Sequence, residues 1–152
     1  MASVEKLHEY LDAIDATAAL RDRAVGLLSL YQAFPEVTPE AFFVSEYPQE
    51  DGSRVFESLW LFTDRLMMEA KIPGEGDEQL DFVPLVHGVR HLVVQAKDYD
   101  LRTTSEASRM RVEAWVSDAR LGELRASGSN CDRLSAVVAR YLLPNLAPVA
   151  AG

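Results

Sequence analysis

The spacing of apolar residues changes twice along this chain, and this change constrains the fold more than any other feature. Between residues 3 and 34 apolar side chains recur at intervals of three and four, as in Leu7, Leu11 and Ile14, the spacing of one helix face. Between residues 42 and 127 the pattern is that of short strands, and helical spacing returns near the C-terminus. The order of helices, strands and helix predicts an α+β domain.

The N-terminal segment from Ser3 to Phe34 is predicted to be one long helix or a bent pair of helices. Ser3 and Asp15 are the candidate N-caps, and Pro35 ends the helical pattern. A proline disfavours helical backbone at the residue before it, so the helix is expected to stop there.

The middle of the chain predicts about seven strands. The first two, Phe42–Tyr47 and Arg54–Phe62, form a hairpin around the turn signal Asp51-Gly52. The inner end of the second strand is apolar on both faces. The other predicted strands are Arg65–Ile72, Leu80–Val83, His91–Lys97, Arg109–Val116 and Leu121–Ser127, and the polar segments 73–79 and 97–108 are predicted to be exposed loops.

The last helix is predicted from Asn130, a candidate N-cap, to Pro144. Its apolar positions form one stripe, made of Leu134, Val137, Val138, Tyr141 and Leu142. These elements divide the chain into a helical extension over residues 1–38, a sheet domain over 39–144 and a tail over 145–152.

Three segments carry a resemblance to a known family. They are Ser58–Met67, with its Thr63-Asp64 turn between two strands, Leu80–Val89, and Arg109–Tyr141. In this order they resemble the pleckstrin-homology-like (PH-like) superfamily, especially its GRAM and bacterial PH-like members, over about residues 42–143. The resemblance implies a bent antiparallel sheet or barrel of about seven strands, capped by the C-terminal helix.

Members of the family are mostly binding modules, some for phosphoinositides and others for proteins, so the resemblance implies a non-enzymatic binding protein. The lipid-binding members have basic residues around the first hairpin loop. Here that loop contains Glu50 and Asp51, with Arg54 as its single base. One arginine does not hold a multiply charged phosphate ring as a cluster does, and no ligand residue is carried over from the family.

Charge narrows the possible partners. The 152-residue chain has a net charge of −9, which repels nucleic acids and anionic membranes. Residues 1–80 contain six basic and sixteen acidic residues, a net charge of −10, whereas residues 81–152 contain nine and eight, a net charge of +1. No nucleic-acid partner and no stable membrane binding are therefore expected.

The compartment is predicted from the cysteine and from the N-terminus. Cys131 is the single cysteine, so the chain forms no internal disulfide. Glu5, Glu9 and Asp12 interrupt the region where a secretory signal would need an apolar run. A cytoplasmic protein is expected.

No catalytic, metal or cofactor site is predicted. His87 and His91 lie four residues apart but have no third ligand nearby. Cys131 is followed by Asp132, and an acidic neighbour raises the pKa of a thiol that a nucleophile needs lowered. Asp98 and Asp100 are interpreted as residues of a solvated turn. The protein is predicted not to be an enzyme.

The sequence is compatible with three functions. The first is a PH-like module that binds a protein partner or a second copy, with Leu7, Leu11 and Ile14 on the N-terminal helix as the contact; their packing on the chain's own sheet is the alternative. The second is a small acidic dimeric chaperone or adaptor for a secreted or effector protein. The third is an enzyme on a curved-sheet cone fold.

Overall fold

The structure is a computed structural model, and it describes residues 4–34, 39–48, 54–74, 77–85, 88–100, 103–116 and 119–146. Ser3, the loop from Gln49 to Ser53 and His87 lie outside these ranges. The described chain is α+β, with two N-terminal helices, a four-stranded and a three-stranded antiparallel sheet, and a C-terminal helix. The predicted class and order of elements are confirmed.

The N-terminal segment is a bent pair of helices, α1 (Val4–Ala13) and α2 (Ala18–Tyr31). The chain turns at Asp15, which has a left-handed φ of 53°. The N-cap of α2 is Thr17, whose Oγ1 accepts a 3.2 Å hydrogen bond from the Leu20 N–H. Asp15 belongs to the turn, and its prediction as the N-cap was wrong.

The first sheet has the order β1-β2-β3-β4. Its strands are β1 (Ala41–Pro48), β2 (Arg54–Phe62), β3 (Leu66–Gly74) and β4 (Asp77–Pro84). One face packs on α1 and α2 through Leu59, Leu61 and their neighbours, and the other face contributes Trp60 and Phe62 to a second core cluster. The inner end of β2, from Leu59 to Phe62, is buried on both faces, as its two-sided apolar pattern indicated.

The second sheet has the order β5-β6-β7, with β5 (His91–Asp100), β6 (Thr103–Val116) and β7 (Ala119–Ser127). Its inner face is buried through Met110, Val112, Ala114, Leu124 and Ala126. These residues pack on the inner face of the first sheet and on the C-terminal helix.

Two predicted loops are strand over their described residues. β3 extends to Gly74 and β4 begins at Asp77, while β5 extends to Asp100 and β6 begins at Thr103. The loop predictions for 73–79 and 97–108 were therefore wrong at 73–74, 77–79, 97–100 and 103–108. Backbone groups pair in a hairpin whether or not the side chains are apolar, and the ends of both hairpins extend past the core, where polar side chains meet water.

The two sheets meet at a corner between β1 and β7. Ser45 Oγ accepts a 3.0 Å hydrogen bond from the Arg125 N–H, and Glu46 Oε2 accepts bonds of 3.2 and 3.0 Å from the N–H and hydroxyl of Ser127. Side chains of β1 thus accept hydrogen bonds from two backbone N–H groups on the edge of β7. No strand ladder joins β1 to β7 in the described chain. The sheet is not closed into a barrel, so the PH-like barrel is not confirmed.

The C-terminal helix α3 spans Asn130–Val137 and continues as a π-helical stretch, Val138–Leu142. The predicted apolar stripe is buried in the core between the sheets. Ser129 occupies the N-cap position, and Asn130 lies inside the first turn with its side chain buried. The prediction of Asn130 as the N-cap was wrong, because its amide is engaged by β1. No described helix is long and apolar enough to cross a membrane.

Candidate functional site

The structure places the predicted contact residues in the protein's own core. Leu7 and Leu11 are 0% exposed and Ile14 is 3% exposed. They pack with α2 and with the outer face of the first sheet, among residues such as Leu59 and Leu61. A buried side chain offers a partner no surface, so we do not retain these three residues as a binding site. The intramolecular alternative is the one that the structure shows.

Of the candidate metal and nucleophile residues, the structure describes His91 and Cys131, and these two do not form a reactive site. His91 is exposed with its ring 5.0 Å from that of Trp115, and the described residues contain no cluster of three or more metal-ligating side chains. Cys131 is buried, and burial raises the pKa of its thiol to about 11, with a smaller contribution from Asp132. At neutral pH the sulfur is a protonated thiol, which is a poor nucleophile.

Strand edges are the next place where a partner could bind, because an edge carries backbone donors and acceptors without a neighbour. The edge of β1 is covered by side chains. Val44 donates its N–H to the Tyr10 hydroxyl, its carbonyl accepts from Asn130 Nδ2, and the Phe42 carbonyl accepts from Arg133 Nε. The edge of β7 is covered at the corner with β1.

The edges of β4 and β5 have no strand partner within the described chain. β4 contains Asp77, Glu78, Asp81 and a terminal Pro84, which are the residue types that discourage strand addition. The segment Leu92–Ala96 of β5 has neither a charge nor a proline. β5 is therefore the less protected of the two edges.

The inner face of β5 is open to solvent at Val94 and Ala96, whereas Leu92 on the same face packs partly on the core. Val94 is 47% exposed, and Ala96 is exposed as well. Their cross-strand neighbours on β6, Val112 and Met110, are buried. The apolar face of the second sheet therefore extends one strand beyond the core.

A groove with a volume of about 450 Å³ runs across the second sheet and is lined by residues 95–97, 109–111 and 125–126. Cross-strand register places Gln95, Arg111 and Arg125 in one row. Lys97 and Arg109 oppose each other in the next row. Four basic side chains line the groove, although the chain as a whole is acidic.

The two rows differ in how their charges are compensated. Arg111 lies 3.2 Å from Glu113 and 3.0 Å from Glu123, and Arg125 forms an ion pair with Glu123 and lies 3.8 Å from Glu57. Arg109 Nη1 donates instead to the backbone carbonyls of Glu106 and Ser108, at 2.7 and 2.8 Å.

The end of the groove is shaped by a β-bulge in β5. Asp98 has a left-handed φ of 51°, and the register of β5 and β6 shifts between Lys97 and Tyr99. The Ser108 hydroxyl donates to the Asp98 carbonyl at 2.5 Å and accepts from the Ser105 N–H at 3.0 Å. Asp98 is exposed and belongs to this bulge, and the side chain of Asp100 lies outside the described residues.

Sequence reasoning missed this site. The two-residue spacing of Arg109 and Arg111 on β6 was visible, and so was the uncharged run at Leu92–Ala96. Either signal indicates a sheet face or a strand, but neither reveals which strand is at the edge. The site lies where it does because β5 is an edge strand. Strand order depends on pairing between segments that are distant in sequence.

The chain was compared with protein-family models, with curated proteins and with solved structures, and none of the three comparisons finds a match.

Proposed function

We propose that this protein is a non-enzymatic binding module that recognises an extended segment of a protein partner, which pairs as an additional strand with β5. The observation that carries the proposal is the edge of β5, which is open over Leu92–Ala96 and contains no charge or proline there. An edge of this kind is a template for strand pairing.

The exposed apolar face next to this edge supports the same function. A strand added beside β5 would turn every second side chain toward Val94 and Ala96. Burying those side chains would extend the apolar layer that Val112 and Met110 begin. Main-chain hydrogen bonds would supply affinity, and alternate side chains would supply specificity.

We also propose that the fold is PH-like. A four-stranded sheet, a three-stranded sheet and a C-terminal helix follow one another along the chain, and this order supports the proposal. Protein is favoured over phosphoinositide as the ligand, because the net charge of −9 opposes approach to an anionic surface. An acidic chaperone or adaptor for a secreted protein is the second candidate, and the same open edge supports it.

The experiment is a selection from a displayed library of random nine-residue peptides on the full chain, followed by fluorescence anisotropy with synthetic peptides. Val94→Lys places a charge on the exposed apolar face of β5. Val55→Lys is the matched control, because Val55 is a similarly exposed valine on β2, at 42% against 47% for Val94.

We expect enriched peptides to bind Val94→Lys at least tenfold more weakly than the unmodified chain, and Val55→Lys with unchanged affinity. The proposal is wrong if no peptide is enriched over an unrelated folded protein. It is also wrong if the two variants bind the enriched peptides equally well.

A further inference from the structure

We propose that Lys97 and Arg109 form a subsite that selects a partner segment with an aspartate or glutamate opposite Lys97. This inference rests on the proposed strand addition to β5 and specifies the chemistry of the segment that would be bound.

Two positive charges lie directly opposite each other on β5 and β6. Lys97 on β5 and Arg109 on β6 are cross-strand partners, and the alternation of both strands puts them on the outer face. Like charges at directly opposite positions of an antiparallel pair destabilise the pair. An anionic group beside both side chains would remove this repulsion.

In the adjacent rows of the sheet, by contrast, carboxylates compensate the positive charges. Arg111 opposes Arg125, and Glu113 opposes Glu123, so these rows also contain like-charge pairs. There, however, each arginine is within ion-pair distance of at least one of the two glutamates. In the described chain Lys97 and Arg109 have no carboxylate within 4.0 Å. Their two like charges are therefore not compensated as those of Arg111 and Arg125 are.

Backbone hydrogen bonds orient the guanidinium of Arg109. Its Nη1 donates to two backbone carbonyls, of Glu106 and Ser108, which orient the group without neutralising it. Within the described chain its Nε and Nη2 donate no hydrogen bond. An oriented guanidinium whose Nε and Nη2 still have N–H groups to donate can bind a carboxylate through charge-assisted hydrogen bonds.

Position links the pair to the open edge. Lys97 lies on the edge strand, so a side chain directly opposite it on an added strand would be about 5 Å away, Cβ to Cβ. Arg109 lies one strand further in, about 4.8 Å from β5, and its long side chain can approach the same carboxylate. The expected segment therefore has apolar residues facing Val94 and Ala96, and an acid on the opposite face.

A second copy of this chain is not the expected source of that acid. Its open edge strand β4 contains Asp77, Glu78 and Asp81 and ends at Pro84, residue types that discourage strand addition. Pairing between the β5 strands of two copies does not supply the acid either. The residues of β5 that share the face of Lys97 before the bulge are His91, Val93 and Gln95, and none is acidic. An antiparallel β5 pair would leave Lys97 without a carboxylate. A segment of another protein is the occupant to which we commit.

The test reads residue preferences from the displayed-peptide selection, using the full chain and three variants. Lys97→Gln and Arg109→Gln each remove one charge of the subsite. Arg140→Gln is the matched control, because Arg140 is a well-exposed arginine on the C-terminal helix that lies 3.6 Å from Glu40, away from the groove. Circular dichroism confirms that each variant is folded.

We expect one peptide position to favour acidic over basic residues at least tenfold on the unmodified chain. This ratio should fall at least fivefold on Lys97→Gln and on Arg109→Gln, and should stay unchanged on Arg140→Gln. Lys97→Glu should reverse the preference toward lysine and arginine.

Three results would overturn the inference. If peptides are enriched and are sensitive to Val94→Lys but show no acidic preference, strand addition stands and the subsite is wrong. If the preference is equal in Lys97→Gln, Arg109→Gln and Arg140→Gln, it arises elsewhere on the chain. If no peptide is enriched, the proposed function fails, and the subsite fails with it.

Discussion

The Tyr10 hydroxyl donates a 2.6 Å hydrogen bond to Asn130 Oδ1 and thereby joins α1 to α3 across 120 positions of the chain. The same hydroxyl accepts a 2.8 Å bond from the Val44 N–H, and Asn130 Nδ2 donates a 2.9 Å bond to the Val44 carbonyl. Two side chains from opposite ends of the sequence therefore satisfy both backbone groups of one residue on the edge of β1. This covered edge contrasts with the open edge of β5.

Removing the Tyr10 hydroxyl should destabilise the fold. Tyr10→Phe leaves the buried Val44 N–H without its acceptor and Asn130 Oδ1 without its donor, and an unsatisfied buried group costs about 1–3 kcal/mol. Urea unfolding followed by circular dichroism measures the change in the free energy of unfolding. Tyr31→Phe is the control, because Tyr31 is also buried but forms no hydroxyl hydrogen bond in the described chain. Equal effects of the two substitutions would contradict the role of the Tyr10 network.

Gly122 should not tolerate a side chain. A Cβ at this position would lie 3.0 and 3.1 Å from the ring atoms Cη2 and Cζ2 of Trp60, which is fully buried, and the φ of Gly122 is +150°. Gly122→Ala is expected to cost about 1–3 kcal/mol through overpacking. Gly26→Ala, in a helix position with nothing within 4 Å, should instead stabilise the protein by about 0.5–1 kcal/mol. Thermal unfolding of both variants measures the two effects, and a Gly122→Ala variant as stable as the original chain would refute the close approach.

The N-terminal helices should behave as part of the core. Leu11→Ala is expected to cost about 2–5 kcal/mol, because it leaves a cavity between α1 and the first sheet. Val4→Ala, at a position that is 36% exposed, should change the free energy of unfolding by less than about 0.5 kcal/mol. Urea unfolding compares the two variants. If Leu11→Ala has no effect on stability but abolishes binding to a protein, the original prediction of a contact surface is restored.

The Cys131 thiol should be protected from modification and should make stability depend on alkaline pH. Burial raises the thiol pKa from its ordinary value of 9.0 to about 11, so the folded protein retains a proton that the unfolded chain loses. The contribution to stability is full below pH 9 and is lost as pH rises toward 11. Alkylation by iodoacetamide at pH 8 should be slow in the native protein and fast in urea.

The control for this pH dependence is Cys131→Ala, which should lose less stability between pH 9 and pH 11 than the unmodified chain. Burial also raises the pKa of Tyr10, so part of the alkaline loss should remain in this variant. Native alkylation as fast as that of the unfolded chain would show that the thiol is accessible.

Several elements were predictable because their signals are local. The two-residue alternation of Arg109–Val116 predicted a strand, and its inner residues Met110, Val112 and Ala114 are buried. The stripe from Leu134 to Leu142 predicted the C-terminal helix, and its apolar positions are buried as well. In both segments one face is apolar and the other polar, so the period of the pattern identifies the element.

Other features had no local signal. The polar ends of the hairpins, such as Thr103 and Thr104, pair through their backbone, which side-chain polarity does not reveal. The apolar second face of β2 indicated that Leu59 and Leu61 pack on another element. In the structure α1 packs there through Leu7 and Leu11. An exposed helix face and a buried one have the same spacing, so the pattern did not distinguish a partner from the chain's own sheet.

Local sequence pattern predicts the helices, the inner parts of the strands, the order of these elements and the faces that must be buried, because helical and strand periods differ and apolar side chains are costly to expose. Tertiary structure alone decided which edges are covered. It brought Tyr10 and Asn130 to β1, and it left β5 open beside Lys97 and Arg109. Strand edges and charge pairs depend on residues that are distant in sequence, and these meet only when the chain has folded.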